Sequence, residues 1–173
     1  QSADRIEAEV IAYAPGVDLA LLQLPEDEQG FFDQHQALPF ADDLPPIRGD
    51  VSAYGYPVGG DDLSVTKGII SRIEVAGYNH GFLGLRIQVD AALNPGNSGG
   101  PAILNDNIVG VVFSGMSQAD NIGYLIPVRE IRGFLEDAED GQYDGRPELN
   151  LGTLQTLEND ALREKLGLND DTT

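Results

Sequence analysis

The sequence predicts an all-β fold, and three observations lead there. Up to about Val128 the apolar residues come in short runs of strand length, and Gly, Pro, Asn and Asp interrupt them at regular intervals. No long helical period develops in that stretch. Strands are expected at 6–12, 19–24, 50–55, 68–75, 84–89, 102–104, 108–113 and 122–126. Ala14-Pro15-Gly16 separates the first two, Leu44-Pro45-Pro46 precedes the third, and Val58-Gly59-Gly60-Asp61-Asp62 follows it. Asn94-Pro95-Gly96-Asn97 and Asn105-Asp106-Asn107 flank the short strand at 102–104. Many short strands with frequent turns argue for a barrel or a sandwich.

The period then changes. Val128, Ile131, Phe134 and Leu135 share one face of a helix of about two turns. The acidic, Gly- and Pro-bearing stretch that follows, 137–148, reads as a linker. Beyond it a helix is expected over 161–166, capped by Asn159 or Asp160 and stopped by Gly167. This last segment, 149–173, has too few apolar residues to build its own core.

Composition narrows the function classes. A hydrophobic share of 41% supports a core, and no window approaches the ~18 uninterrupted apolar residues of a spanning helix. The opening residues have neither the basic nor the apolar character of a targeting segment, so a soluble chain without membrane insertion is expected. Cysteine is absent, which excludes disulfides, thiolate nucleophiles and Cys-based zinc sites. His35 and His80 stand far apart without ligand spacing, so neither a metal nor another cofactor is expected. With 29 Asp and Glu against ten Lys and Arg, the net charge of −19 repels phosphate backbones and anionic lipid. Such a surface suits plain solvation or adaptation to high salt, and composition fits both.

The chemistry concentrates in Asp90-Ala91-Ala92-Leu93-Asn94-Pro95-Gly96-Asn97-Ser98-Gly99-Gly100-Pro101. Glycines around a serine let the backbone turn tightly, expose Oγ and aim adjacent N–H groups into one concave spot, an oxyanion hole. The hydroxyl becomes a nucleophile only when a base takes its proton. Alone, Gly-Asn-Ser-Gly-Gly is an ordinary turn. It also fits the G-x-S-x-G elbow, but that motif needs a helix after the serine and a histidine downstream; here β-like runs follow and no histidine does.

Gly96 to Pro101 resembles the GNSGGP of trypsin-like proteases, and three further stretches are similar to the HtrA/Deg branch. Val17-Asp18-Leu19-Ala20-Leu21-Leu22 resembles its acid-bearing strand. Gly55-Tyr56-Pro57-Val58-Gly59-Gly60 with Val65-Thr66-Lys67-Gly68-Ile69-Ile70-Ser71 resembles its G-[YN]-P-x-G stretch and the strand after it. Asn121-Ile122-Gly123-Tyr124-Leu125-Ile126-Pro127 resembles the strand before its terminal helix. The spacing and the C-terminal segment are closest to the Deg subgroup best known from plants.

The resemblance implies a chymotrypsin-like double β-barrel with the first barrel incomplete over 1–45, a second barrel and terminal helix over 46–136, a linker, and the start of a PDZ-like segment. Ser98 then matches the nucleophile, and Asp18 the acid that orients the catalytic imidazole. The amides of Gly96 and Ser98, with Asn97 between them, match the oxyanion hole. Ala92, six residues before the nucleophile, matches the base of the S1 pocket; being uncharged, it suits small or medium aliphatic side chains. Phe113, Ser114 and Gly115 match the edge that pairs with substrate backbone, and Gly123 and Tyr124 the opposite pocket wall.

One element is missing. The family's histidine lies upstream of the acid, and none of the 17 residues before Asp18 is histidine. His35 follows Asp18 in an acidic loop, and His80 sits in a Gly/Asn-rich one. The expectation is therefore a piece of an HtrA/Deg endopeptidase whose histidine-bearing strands precede Gln1, inactive alone. It would act on unfolded or extended polypeptide in protein quality control, in trimer-based homo-oligomers and, if bacterial, in the periplasm or another extracytoplasmic compartment. The competing expectation is a pseudoprotease that binds peptides without cutting them.

Overall fold

The computed structural model describes residues 6–57, 62–78, 82–113, 122–145 and 160–168, and strands dominate them. β1 (Glu9–Ala14) and β2 (Leu19–Gln23) form an antiparallel hairpin. β3 (Asp50–Gly55), β4 (Ser64–Gly77), β5 (Leu83–Asp90), β6 (Pro101–Leu104), β7 (Asn107–Phe113) and β8 (Gly123–Pro127) close into a barrel in the order β3-β4-β5-β8-β7-β6. Closure comes from β6 returning to β3, with Ser52 opposite Ile103 and Ala53 opposite Ala102.

Two strands depart from the expected bounds. β1 lies later than 6–12 because Ala14 pairs directly with Leu19, which leaves only Pro15 to Asp18 for the turn. β4 extends well past 68–75: its first half pairs with β3 and its second with β5, bending at a bulge between Ile70 and Arg72. The Asn105-Asp106 turn between β6 and β7 takes positive φ at both residues, 51° and 61°, the mirror-image turn that matches strand twist.

Side-chain alternation fills the barrel. Val51 and Ala53 of β3 meet Ile70, Ile87, Val89, Ala102, Val109, Val112 and Leu125 inside it. β8 is buried on both faces because the helix α2 (Val128–Asp137) folds back over the sheet. Ile131 of that helix packs with Phe113, Tyr124 and Ile126, and Phe134 packs with Ala12, Ala14 and Val17. The helix therefore ties the hairpin to the barrel. Leu38 to Ala41 is sewn to the barrel as well, since Ala41 N–H donates to the Ile108 carbonyl and Ile108 N–H to that of Pro39.

Residues 138–145, expected as linker, pack back on the terminal helix. Gly145 N–H donates to Asp137 Oδ2 at 2.9 Å and Tyr143 meets Phe134 edge-on. A short helix not anticipated from the sequence, α1 (Phe31–Gln34), interrupts the acidic loop; the helix expected near the end is α3 (Asp160–Leu166). It stops where expected: Gly167 takes φ 68°, and the amides of Gly167 and Leu168 cap the carbonyls of Glu164 and Arg163. The rest of the segment expected as the start of a PDZ-like domain lies outside the described residues.

Among the described residues, ion pairs join Arg72 and Arg86 to Glu74, and Arg132 to Asp42. With 29 Asp and Glu against ten Lys and Arg, most carboxylates have no basic side chain to pair with. Salt at ~1 M shortens the screening length to about 3 Å, so the melting temperature of this chain should rise when NaCl is increased from ~0.01 M to ~1 M. A flat or falling melting temperature would show that repulsion among these carboxylates does not limit stability.

Candidate active site

The turn between β5 and β6 is stitched down at both ends. Leu93 N–H donates to the Ala91 carbonyl at 2.8 Å and Asn97 N–H to that of Asn94 at 3.0 Å. Tyr56 N–H donates to the Gly96 carbonyl at 3.1 Å, while Gly99 N–H reaches Val112 and Gly100 N–H reaches Asn97. Gly96 is required at its position: it takes φ 103°, and a Cβ there would lie 2.2 Å from the Tyr56 carbonyl oxygen. Asn97 is buried, its Oδ1 has no hydrogen-bond partner among the described residues, and its side chain lies against Gly55.

This stitching leaves Ser98 exposed at the tip. Among the described residues, neither the Gly96 nor the Ser98 amide donates to any acceptor. Two free N–H groups beside an exposed hydroxyl are what a developing oxyanion needs. Next to Ser98 opens a cavity of about 750 Å3, walled by Leu38, Tyr54, Tyr56, Leu63 and Ile103.

Asp18 stands at the head of β2 with an exposed carboxylate and φ 58°. It makes no hydrogen bond or ion pair among the described residues, so its two oxygens are open to a partner. No direct contact joins it to Ser98. His35 is engaged elsewhere: its Nδ1 lies 2.9 Å from the Phe31 carbonyl and its ring stacks on Phe31 at 4.1 Å. His80, Ser114 and Gly115 lie outside the described residues.

The pocket residues fall differently from the spacing argument. Ala92 is exposed, whereas its neighbour Leu93 turns inward and lies on Gly123. A Cβ at Gly123 would come within 2.3 Å of Leu93 Cδ1. Leu93 thus occupies the space in front of the wall made by Gly123 and Tyr124. Within this segment Leu93 is the apolar side chain that packs on Gly123. Phe113 and Tyr124 are both buried and sit opposite each other on β7 and β8.

A sequence model of the trypsin-like peptidase domain matches residues 1–111. The chain is 43% identical over 166 residues to a serine protease DegP homolog of Plasmodium falciparum, covering 95% of this chain and 19% of that protein. It is also 43% identical over 164 residues to the mitochondrial protease Do-like 4 of Arabidopsis thaliana, covering 94% of this chain and 31% of the relative. This chain belongs to the HtrA/Deg family of trypsin-like serine proteases. The HtrA-type protease AlgW, solved with a decapeptide, superposes with a TM-score of 0.70 at 27% identity, over 94% of this chain and 49% of that one. The architecture is accordingly the chymotrypsin-like fold of HtrA proteases, with one barrel closed and two strands of the other. The chain spans under a third of the two curated relatives' length.

Proposed function

We propose that Ser98 is the nucleophile of an endopeptidase whose general base comes from polypeptide outside these 173 residues. The observation that carries this reading is the pair of free amides at Gly96 and Ser98 beside an exposed hydroxyl, in a turn held at both ends. Asp18, with an unengaged carboxylate, is then the group that orients the incoming imidazole. Two apolar surfaces stand ready for the added segment: the cavity beside Ser98 and the outer face of the hairpin, where Val10, Tyr13 and Leu22 are more than half exposed. Without that base the hydroxyl stays protonated, and only the oxyanion hole and binding remain to accelerate cleavage, ~10³–10⁴-fold over water.

The substrate in this reading is an extended or unfolded polypeptide with a small or medium aliphatic side chain in the pocket, as quality-control proteolysis by trimer-based, extracytoplasmic assemblies requires. Leu93 over Gly123 supports the size limit. Leu93→Ala should raise the ratio of kcat/KM for phenylalanine over valine at P1 by about 10- to 100-fold. An unchanged ratio in a paired peptide assay would return the specificity role to Ala92.

A fluorophosphonate probe tests the proposal. Full-length protein should label at Ser98, whereas the 173-residue chain should label little; equal labelling of both would show that no outside base is needed. His35 is engaged with Phe31 rather than Asp18, which favours a second reading, a peptide-binding pseudoprotease. The coding sequence upstream of Gln1 separates them, since the protease needs a histidine there, in a context like T-x-x-H-V, and the binding module does not.

A further inference from the structure

Arg86 lies on the outward face of β5, directly opposite Glu74 on β4 and one step diagonal from Tyr124 on β8. Its side chain is only 11% exposed, and among the described residues its buried Nε has no hydrogen-bond partner. Nη1 donates to the Gly77 carbonyl at 3.1 Å, Nη2 stands 3.9 Å from Glu74 Oε1, and the guanidinium lies 4.4 Å over the Tyr124 ring. As a stabilising choice this is poor. A cation buried with an unsatisfied N–H carries a desolvation cost that an apolar side chain at the same place would avoid.

What the arginine adds is geometry. Its plane is fixed at one end by the last residue of β4 and lies on the face of Tyr124, as a flexible point charge would not. Tyr124 directly follows Gly123, against which Leu93 rests. A ring free to tilt there would move the backbone of the wall that Leu93 faces. We propose that Arg86 is a positioning residue for peptide binding, clamping Tyr124 so that the Gly123–Tyr124 wall holds its place. The inference rests on the protease reading for the location of the pocket and for nothing else.

The test uses full-length protein carrying Ser98→Ala, titrated with a fluorescein-labelled, valine-containing decapeptide and read by fluorescence anisotropy. Arg86→Leu should weaken Kd about 10-fold, and Arg86→Lys, which keeps a cation over the ring, about threefold. In a Tyr124→Leu background Arg86→Leu should change Kd less than about twofold, because the group through which it acts is gone. Equal Kd for the parent, Arg86→Lys and Arg86→Leu overturns the proposal, as does an Arg86→Leu loss that is the same with and without Tyr124. Should Arg86→Leu not fold, the Arg86→Lys comparison alone decides in the same way. Failure of the protease reading appears elsewhere, as absent fluorophosphonate labelling of the Ser98 form, which leaves the anisotropy result intact.

Discussion

Asp18→Asn should lower kcat of the full-length protease about 10⁴-fold with KM little changed. The carboxylate has two jobs in the proposed triad: to accept from the Nδ1–H of an imidazole, which fixes the tautomer, and to stabilise the cation formed when Nε2 takes the Ser98 proton. An asparagine of the same shape does neither, because it can present an N–H where an acceptor is needed. In the proposed site the substrate side chain meets Leu93, Gly123 and Tyr124 rather than the Asp18 carboxylate, so the loss falls on kcat. The substitution is clean for a structural reason. Asp18 takes φ 58°, a left-handed conformation that asparagine tolerates as well as aspartate, whereas alanine would add backbone strain to the measured effect. Its side chain is exposed and without partners among the described residues, so the melting temperature should stay close to that of the parent. In the 173-residue chain alone the same substitution should change little, since the proposed base is not part of it. A full-length variant that keeps more than about a tenth of kcat would remove Asp18 from the triad.

The expected bounds matched best where side-chain period and local turn chemistry agreed. β3 alternates cleanly, Asn105-Asp106 carries its turn in its residue types, and Gly167 ends α3 as a glycine at that position should. The first residues of β4 were not visible, because Ser64, Thr66 and Lys67 interrupt the apolar run there while pairing with β3 continues the strand. The start of β1 is set by pairing with β2 across a four-residue turn and by burial under Phe134, neither of which is local information.

At the site, Ser98, Asp18 and the two amides could be placed from motif spacing because each depends on backbone conformation that glycine and aspartate signal. Leu93 and Arg86 could not. Which of two neighbours turns into a pocket depends on one hydrogen bond, here from Leu93 N–H to the Ala91 carbonyl. Arg86 gains meaning only from the ring of Tyr124, 38 residues further along the chain, and from the carbonyl of Gly77.

Gly96→Ala should reduce kcat of the full-length protease by about 10²- to 10³-fold, the loss expected for one oxyanion donor. The residue is held by two constraints that a methyl group breaks together. At φ 103° an L side chain is strained, and its Cβ would stand 2.2 Å from the Tyr56 carbonyl oxygen and 2.7 Å from Pro57 Cα. Both are backbone atoms that directly follow β3, so the backbone at Gly96 has to give instead, which strains the bond from Tyr56 N–H to the Gly96 carbonyl and turns the Gly96 amide away from the hole. Gly99 provides the control within the same turn. It also takes positive φ, 84°, but a Cβ there meets nothing within 4 Å. Gly99→Ala therefore carries conformational strain without the collision, about 1–2 kcal/mol, and should cost stability more than rate. Measured side by side, the two substitutions separate loss of the donor from general loosening of the turn. Equal kcat losses with equal falls in melting temperature would mean that the Gly96 amide stabilises no oxyanion, and that Ser98 must find its charge stabilisation on another element.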